Sequence, residues 1–195
     1  MATRLASMLF YLPILTALVV YVVRLAEINR KRETVPGKVQ ENLTLRLFIL
    51  IGTLMTFGSL AEYVLRGGGF SWVAFSGGIL AAIVSFKLRW SAIAALGKFW
   101  SLHVEIRENH EFVQTGPFRI VRHPTYFSMV LELLSFGLIF SAWWMLLVIP
   151  FLFIPALILR LRLEEPALVE KFGDTYRDYQ RRVPMLIPYR WPSAK

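Results

Sequence analysis

Apolar stretches long enough to cross a lipid bilayer recur along this chain, and no other feature limits its fold so strongly. A helix through a hydrocarbon core of about 30 Å needs roughly 20 predominantly apolar residues. Leu5–Val23, Leu47–Leu65 and Phe70–Phe86 meet or approach that length. The first lacks a small-residue cleavage site and is too long for a simple signal peptide. The second carries one acid, Glu62, near its outer end, and the third holds the pair Gly77-Gly78. Thr125–Leu159 has Glu132 as its one charged residue. As a single helix those 35 residues would measure about 52 Å. The stretch therefore reads as a helical hairpin, Tyr126–Phe140 and Trp143–Leu161, turning near Ser141-Ala142, with a second arm kinked at Pro150 and Pro155. The expected fold is an all-α integral membrane protein with about five transmembrane helices. A C-terminal helical hairpin and a cytoplasmic amphipathic tail helix complete it.

Composition excludes the alternatives. Hydrophobic residues make up 56% of the 195 and charged residues 18%, against about 25% charged in a soluble domain. The chain is also too apolar to be disordered. It has no cysteine, so disulfide scaffolds, thiolate metal sites and cysteine nucleophiles are excluded. Of the 22 Lys and Arg, 20 lie in three segments: Arg24–Arg46, Lys87–Arg122 and the tail from Arg160. With five spans these fall on one face, which the positive-inside rule makes cytoplasmic. The expected topology places the N-terminus outside and the C-terminus inside. The net charge of +9 is accounted for by topology and anionic lipid headgroups rather than by nucleic acid. Residues 1–95 read as N-terminal transmembrane helices. Residues 96–195 read as a loop, hairpin and tail integrated with them.

The hairpin carries the functional argument. It returns the chain to the side it left, so His123-Pro124 and Glu164-Glu165 are expected close together at the membrane surface. Pro124 also suits a first helical position, and Arg160 and Arg162 also read as snorkelling arginines. Three histidines, at 103, 110 and 123, have no metal-ligand spacing. Phe172, Tyr176, Tyr179 and Val183 form one helical stripe, read as an amphipathic helix that also serves as a lid. Glu132, with Ser128 and Ser135 on its face, supports two readings: an intramembrane functional acid or a hydrogen-bond network between helices. The chain has no dinucleotide fingerprint, P-loop or Gly-x-Ser-x-Gly elbow.

Gly116-Pro117-Phe118, Arg122-His123-Pro124-Thr125-Tyr126, Glu164-Glu165, Phe172-Gly173-Asp174-x-Tyr176-x-x-Tyr179 and Arg182-Val183-Pro184 together resemble the isoprenylcysteine carboxyl methyltransferase family. Phospholipid methyltransferases are similar over the same region. The resemblance covers roughly residues 96–188 and lies in order and spacing. Phe118 departs from the commoner tyrosine, and Pro166 follows the acid pair where relatives carry an acid or an aliphatic.

The resemblance implies a membrane enzyme that uses S-adenosylmethionine and releases S-adenosylhomocysteine, with no metal. It implies cofactor contacts at His110, Glu111, Phe112, Val113, Phe118, His123, Pro124, Thr125, Tyr126 and Glu164, with His103 and Glu105 near an upstream contact. Arg160 and Glu164 are the implied catalytic residues. Arg160 and Glu132 are placed on the substrate side. The expected partners are a lipid-tailed or amphipathic acceptor, of the isoprenylcysteine carboxylate type or similar, and the membrane lipids. The expected location is a prokaryotic cytoplasmic membrane. Phospholipid or small-thiol methylation remains an alternative, as does a small transporter or membrane subunit built around Glu132 and Glu62.

Overall fold

The computed structural model describes residues 2–30, 37–41, 43–97, 104–107 and 113–189, with side chains from residue 8 onward in its helices. The chain is built from helices. α1 (Ala2–Asn29) leads to a short strand β1 (Gly37–Glu41), then α2 (Leu43–Leu65) and α3 (Trp72–Leu96). Strand β2 (Val104–Arg107) pairs antiparallel with β1, Gly37 opposite Arg107 and Val39 opposite Glu105. A 3-10 turn (Gly116–Arg119) precedes α4 (Pro124–Ile139), α5 (Trp143–Leu146), a π-helical turn (Ile149–Phe153), α6 (Ile154–Phe172) and α7 (Asp174–Arg182).

Among the described residues, four helices are long and apolar enough to cross a membrane: Met8–Asn29, Leu43–Leu65, Trp72–Leu96 and Trp143–Phe172. The fourth expected span, the first arm of the hairpin, is shorter than the others. α4 has 16 residues, about 24 Å at 1.5 Å each. Proline supplies its first residue, where a missing N–H costs nothing. It stops at a turn in which Ser141 takes φ 49°, a left-handed value uncommon for a side chain with a Cβ.

α3 runs ten residues past the expected end at Phe86, through Lys87 and Arg89. Arg89 is buried, at 2% exposure, and α4 engages two of its three guanidinium nitrogens: Nε donates to Ser128 Oγ at 2.9 Å and Nη2 donates to Glu132. Ser71 caps the start of α3, accepting from the Ala74 N–H, and Gly97 closes its end with its N–H on Ile93 O. Pro150 falls in the π-helical turn. It has no N–H to donate and its ring crowds the carbonyl one turn back, which accounts for the widened turn there.

Lipid tails are as apolar as leucine, so close packing and interhelical hydrogen bonds hold such a bundle together. α3 and α4 show both. A Cβ on Gly78 would stand 2.8 Å from Ile139 N, so only glycine lets the two backbones approach. Ser85 Oγ donates to Ser128 O at 2.7 Å across the same contact. One apolar cluster joins Tyr63, Phe75, Phe86, Phe136 and Phe140. A second joins Phe48, Met55, Tyr126, Leu133, Phe153 and Leu157. Glu62, near the outer end of its span, accepts from the N–H groups of Trp144 and Met145 and so satisfies the start of α5.

Candidate active site

The segment ahead of α4 is pinned by the tail that follows α7. The Arg122 N–H donates to Pro184 O at 2.8 Å and the His123 N–H to Met185 O at 3.0 Å. This holds His123 and the first turn of α4 against the C-terminal half of α6. There the two adjacent acids of α6 divide.

Glu165 binds protein. It accepts from Arg122 Nε at 2.9 Å and Nη2 at 3.1 Å, from Tyr176 OH at 3.1 Å and from Gln180 Nε2 at 2.6 Å. His123 Nε2 lies 2.8 Å from its Oε1. An ionised carboxylate only accepts, so Nε2 carries the proton. The opposite ring nitrogen, Nδ1, faces Glu164 Oε1 at 3.7 Å.

Glu164 faces the cavity. It accepts the hydroxyl of Tyr126, which in turn accepts from Arg160 Nε at 2.7 Å. Arg160 is buried, donates from Nη1 to Thr44 Oγ1 at 3.0 Å and lies 5.6 Å from the ring centroids of both Phe48 and Tyr126. Its Nε and Nη1 are therefore engaged by protein side chains. The rings of His123 and Tyr126 stack at 5.6 Å.

α7 closes over this end. Gly173, at φ 56°, makes the bend from α6, a backbone shape glycine adopts freely. Tyr176 and Tyr179 turn inward, and Tyr179 OH donates to Phe118 O at 2.6 Å. Burial raises both phenols above their ordinary pKa. For Tyr176 the anionic Glu165 adds to the effect. Both hydroxyls stay protonated donors.

His123, Tyr126, Arg160, Glu164, Tyr176 and Tyr179 border one cavity of about 470 Å³, within the range of about 300–1,000 Å³ usual for small-molecule sites. Of the residues expected to contact a cofactor, Val113, Phe118, His123, Thr125, Tyr126 and Glu164 line it. Pro124 is fully buried behind them. His103, His110, Glu111 and Phe112 lie outside the described residues, as does the side chain of Glu105. Arg160 and Glu132 line the cavity too, Glu132 with Arg89 and Arg24 at the far end. Among the described residues no cluster of three or more His, Cys, Asp or Glu could hold a metal ion.

Sequence reasoning missed the roles of Glu165, Tyr176 and Gln180 as a clasp, and the walls supplied by α1 and α2. An acid beside an arginine–histidine pair was the available signal for the first. No local signal marked the second. Chemically, the lining offers a carboxylate, stacked rings and a paired arginine, which suits a ligand with hydroxyls and a positive charge beside a flat ring.

Residues 78–170 match the model of the isoprenylcysteine carboxyl methyltransferase family. That stretch, just under half of the chain, is similar to this family. The match takes in α4, α6 as far as Glu170, and the cavity residues Phe118 to Glu164. Together with four helices long and apolar enough to cross a bilayer, the match supports a membrane protein. Among curated relatives, an uncharacterized protein, YpbQ, of Bacillus subtilis (strain 168) is 31% identical over 94 residues, 48% of this chain and 56% of that protein. The nickel-cobalt-cadmium resistance protein NccN of Alcaligenes xylosoxydans xylosoxydans is 28% identical over 114 residues, 56% of this chain and 52% of that one. Protein-S-isoprenylcysteine O-methyltransferase of Schizosaccharomyces pombe (strain 972 / ATCC 24843) is 31% identical over 103 residues, 52% of this chain and 44% of that one. The chain spans about half the length of the curated relatives it matches.

Proposed function

We propose that this chain is a membrane methyltransferase that uses S-adenosylmethionine to methylate a lipophilic acceptor. One observation carries the reading: Phe118, His123, Tyr126, Arg160 and Glu164, all inside the family match, share a single cavity. The residues fit the donor. Glu164 offers a carboxylate to ribose hydroxyls, Phe118 and Tyr126 offer aromatic walls, and His123 has Nδ1 turned to the same side. When bound, the donor supplies an electrophilic methyl group on a sulfonium sulfur.

The protein's part is alignment and exclusion of water, which together can supply several kcal/mol. Arg160 and Glu164 hold the Tyr126 hydroxyl between them, fixing its ring in the wall. α7 covers the site with Tyr176 and Tyr179. A carboxylate acceptor, with a pKa near 4, is ionised at neutral pH and asks for no general base. Phospholipid amines and small thiols are the other acceptor classes for the same site.

The span Trp143–Phe172 has 30 residues, about 45 Å, more than a bilayer core of about 30 Å. Its last turns, with Glu164 and Glu165, then stand clear of the hydrocarbon on the side rich in Lys and Arg. We place that side in the cytoplasm and the N-terminus outside. A lipid-tailed acceptor reaches the site from the bilayer, between the spans.

Calorimetric titration of the purified protein with S-adenosylhomocysteine tests the reading. Wild type should bind and Glu164→Ala should lose most of the affinity. Equal binding by the two would refute the site, and no binding by wild type would refute the activity. A radiolabelled methyl-transfer screen of lipid extracts, lipophilic acids and thiols then identifies the acceptor.

A further inference from the structure

Four charged side chains meet at the far end of the same cavity, and none of them has a part in holding the methyl donor. Arg24 and Glu27 come from α1, Arg89 from α3 and Glu132 from α4. Arg24 Nη1 donates to Glu27 Oε1 at 2.6 Å, and Arg24 Nε lies 3.5 Å from Glu132 Oε1. Arg89 Nη2 donates to Glu132 Oε2. Trp90 Nε1 donates to Glu27 Oε2 at 3.0 Å. Arg89 Nη1 reaches Glu27 only at 3.7 Å and forms no hydrogen bond.

A brace between helices would need only to be sealed. This cluster lines the cavity through Arg24, Arg89 and Glu132. The side chains of Arg24 and Glu132 keep 17% and 10% of their surface accessible. Gly52 of α2 lines the same cavity, and a Cβ on it would meet nothing within 4 Å. Room and polarity therefore coincide.

The charges limit what can occupy that room. A hydrocarbon tail laid across Arg24 and Glu132 would strip them of water and return no hydrogen bond. Two guanidiniums already balance two carboxylates, so an added anion would leave a buried net negative charge. A neutral oxygen meets neither objection: a carbonyl accepts from a guanidinium, and a hydroxyl can also donate to a carboxylate. Glu132 lies six residues beyond Tyr126 on α4, about 9 Å along the axis.

Resting on the methyltransferase reading, we infer that the acceptor is bifunctional. It carries a neutral oxygen function, hydroxyl or carbonyl, that sits at Arg24 and Glu132 about 9 Å from the atom methylated near Tyr126. A plain alkyl or isoprenoid tail is the poorer substrate.

Photolabelling tests this without turnover. The protein in lipid nanodiscs, with no methyl donor, is exposed to alkyl diazirines of matched length that end in methyl, hydroxyl or carboxylate. Labelled peptides are then mapped. The hydroxyl probe should label the peptides around Arg24 and Gly52–Thr56 about fivefold more than either other probe, the ratio one net hydrogen bond supplies. Arg24→Met should bring that ratio to one. Gly52→Phe, which fills the cavity without touching the charges, should abolish labelling there even if Arg24→Met fails to fold. Equal labelling by the methyl and hydroxyl probes overturns the inference. So does preference for the carboxylate, or a preference that survives Arg24→Met. Failure of S-adenosylhomocysteine to bind wild type would overturn the methyltransferase reading instead, and the labelling pattern does not depend on it.

Discussion

Arg122 and Glu165 stand 43 residues apart in sequence and meet in a two-pronged ion pair, Nε to Oε1 at 2.9 Å and Nη2 to Oε2 at 3.1 Å. The arginine also donates from Nη1 to Gln180 O and Val183 O. The glutamate also holds Tyr176 and Gln180 of α7. Three pieces of chain, the segment before α4, the end of α6 and α7, are fastened at one point.

Breaking that point from one side leaves a charge stranded. The Arg122 side chain is 8% exposed, and removing one partner of a buried pair costs about 3–5 kcal/mol. Glu165→Ala should fall near the lower figure in denaturant unfolding, since Arg122 keeps its two carbonyls. Replacing both residues by leucine should cost less than the two single changes added together. Strict additivity would show that the pair is not coupled.

Tyr126→Phe removes only the oxygen between Glu164 and Arg160. Hydrogen bonds to charged groups are worth about 1.5–3 kcal/mol. The dissociation constant for S-adenosylhomocysteine should therefore rise by about tenfold or more, read by the same calorimetry. An unchanged constant would remove Tyr126 from the site.

Two glycines should respond in opposite directions to the same substitution. Gly78→Ala drives a Cβ against Ile139 N at 2.8 Å and should destabilise by about 1–3 kcal/mol, the usual cost of overpacking. Gly52→Ala meets nothing within 4 Å and should stabilise by up to about 1 kcal/mol through helix propensity alone. Thermal unfolding of the two variants side by side decides it.

Alkali should loosen the closure over the cavity. Tyr176 and Tyr179 have raised pKa values in the folded protein, whereas unfolded tyrosine titrates near 10. The folded state favours the neutral phenol, so this stabilisation is complete below about pH 10 and declines as pH rises beyond it. Unfolding midpoints measured from pH 8 to 11 should fall at the upper end. Tyr176→Phe should reduce the slope of that fall.

The apolar runs were legible because bilayer thickness sets a length that can be counted along the chain. The meeting of His123 with Glu164 was legible because turning the chain back fixes which residues face each other. Where α3 ends was not. Lys87 and Arg89 interrupt the hydropathy, yet Arg89 finds Glu132 on another helix, a pairing no local window contains. The site residues expected from the sequence all lie between His103 and Glu164, so Thr44, which binds Arg160, and Arg24, which borders the cavity, were not among them. The resemblance singled out Glu164 and left Glu165 without a role. Their partners separate them.

Neighbours on an α-helix point about 100° apart, so the twin acids of α6 are not spares for one another. One looks into the hollow and the other grips the latch. Sliding α6 by a single residue would set one acid in the other's place, leave the second place to Leu163 or Pro166, and undo both duties. Sequence comparisons across such a doublet must therefore be aligned to the residue, since a pair of glutamates displaced by one position is a different machine.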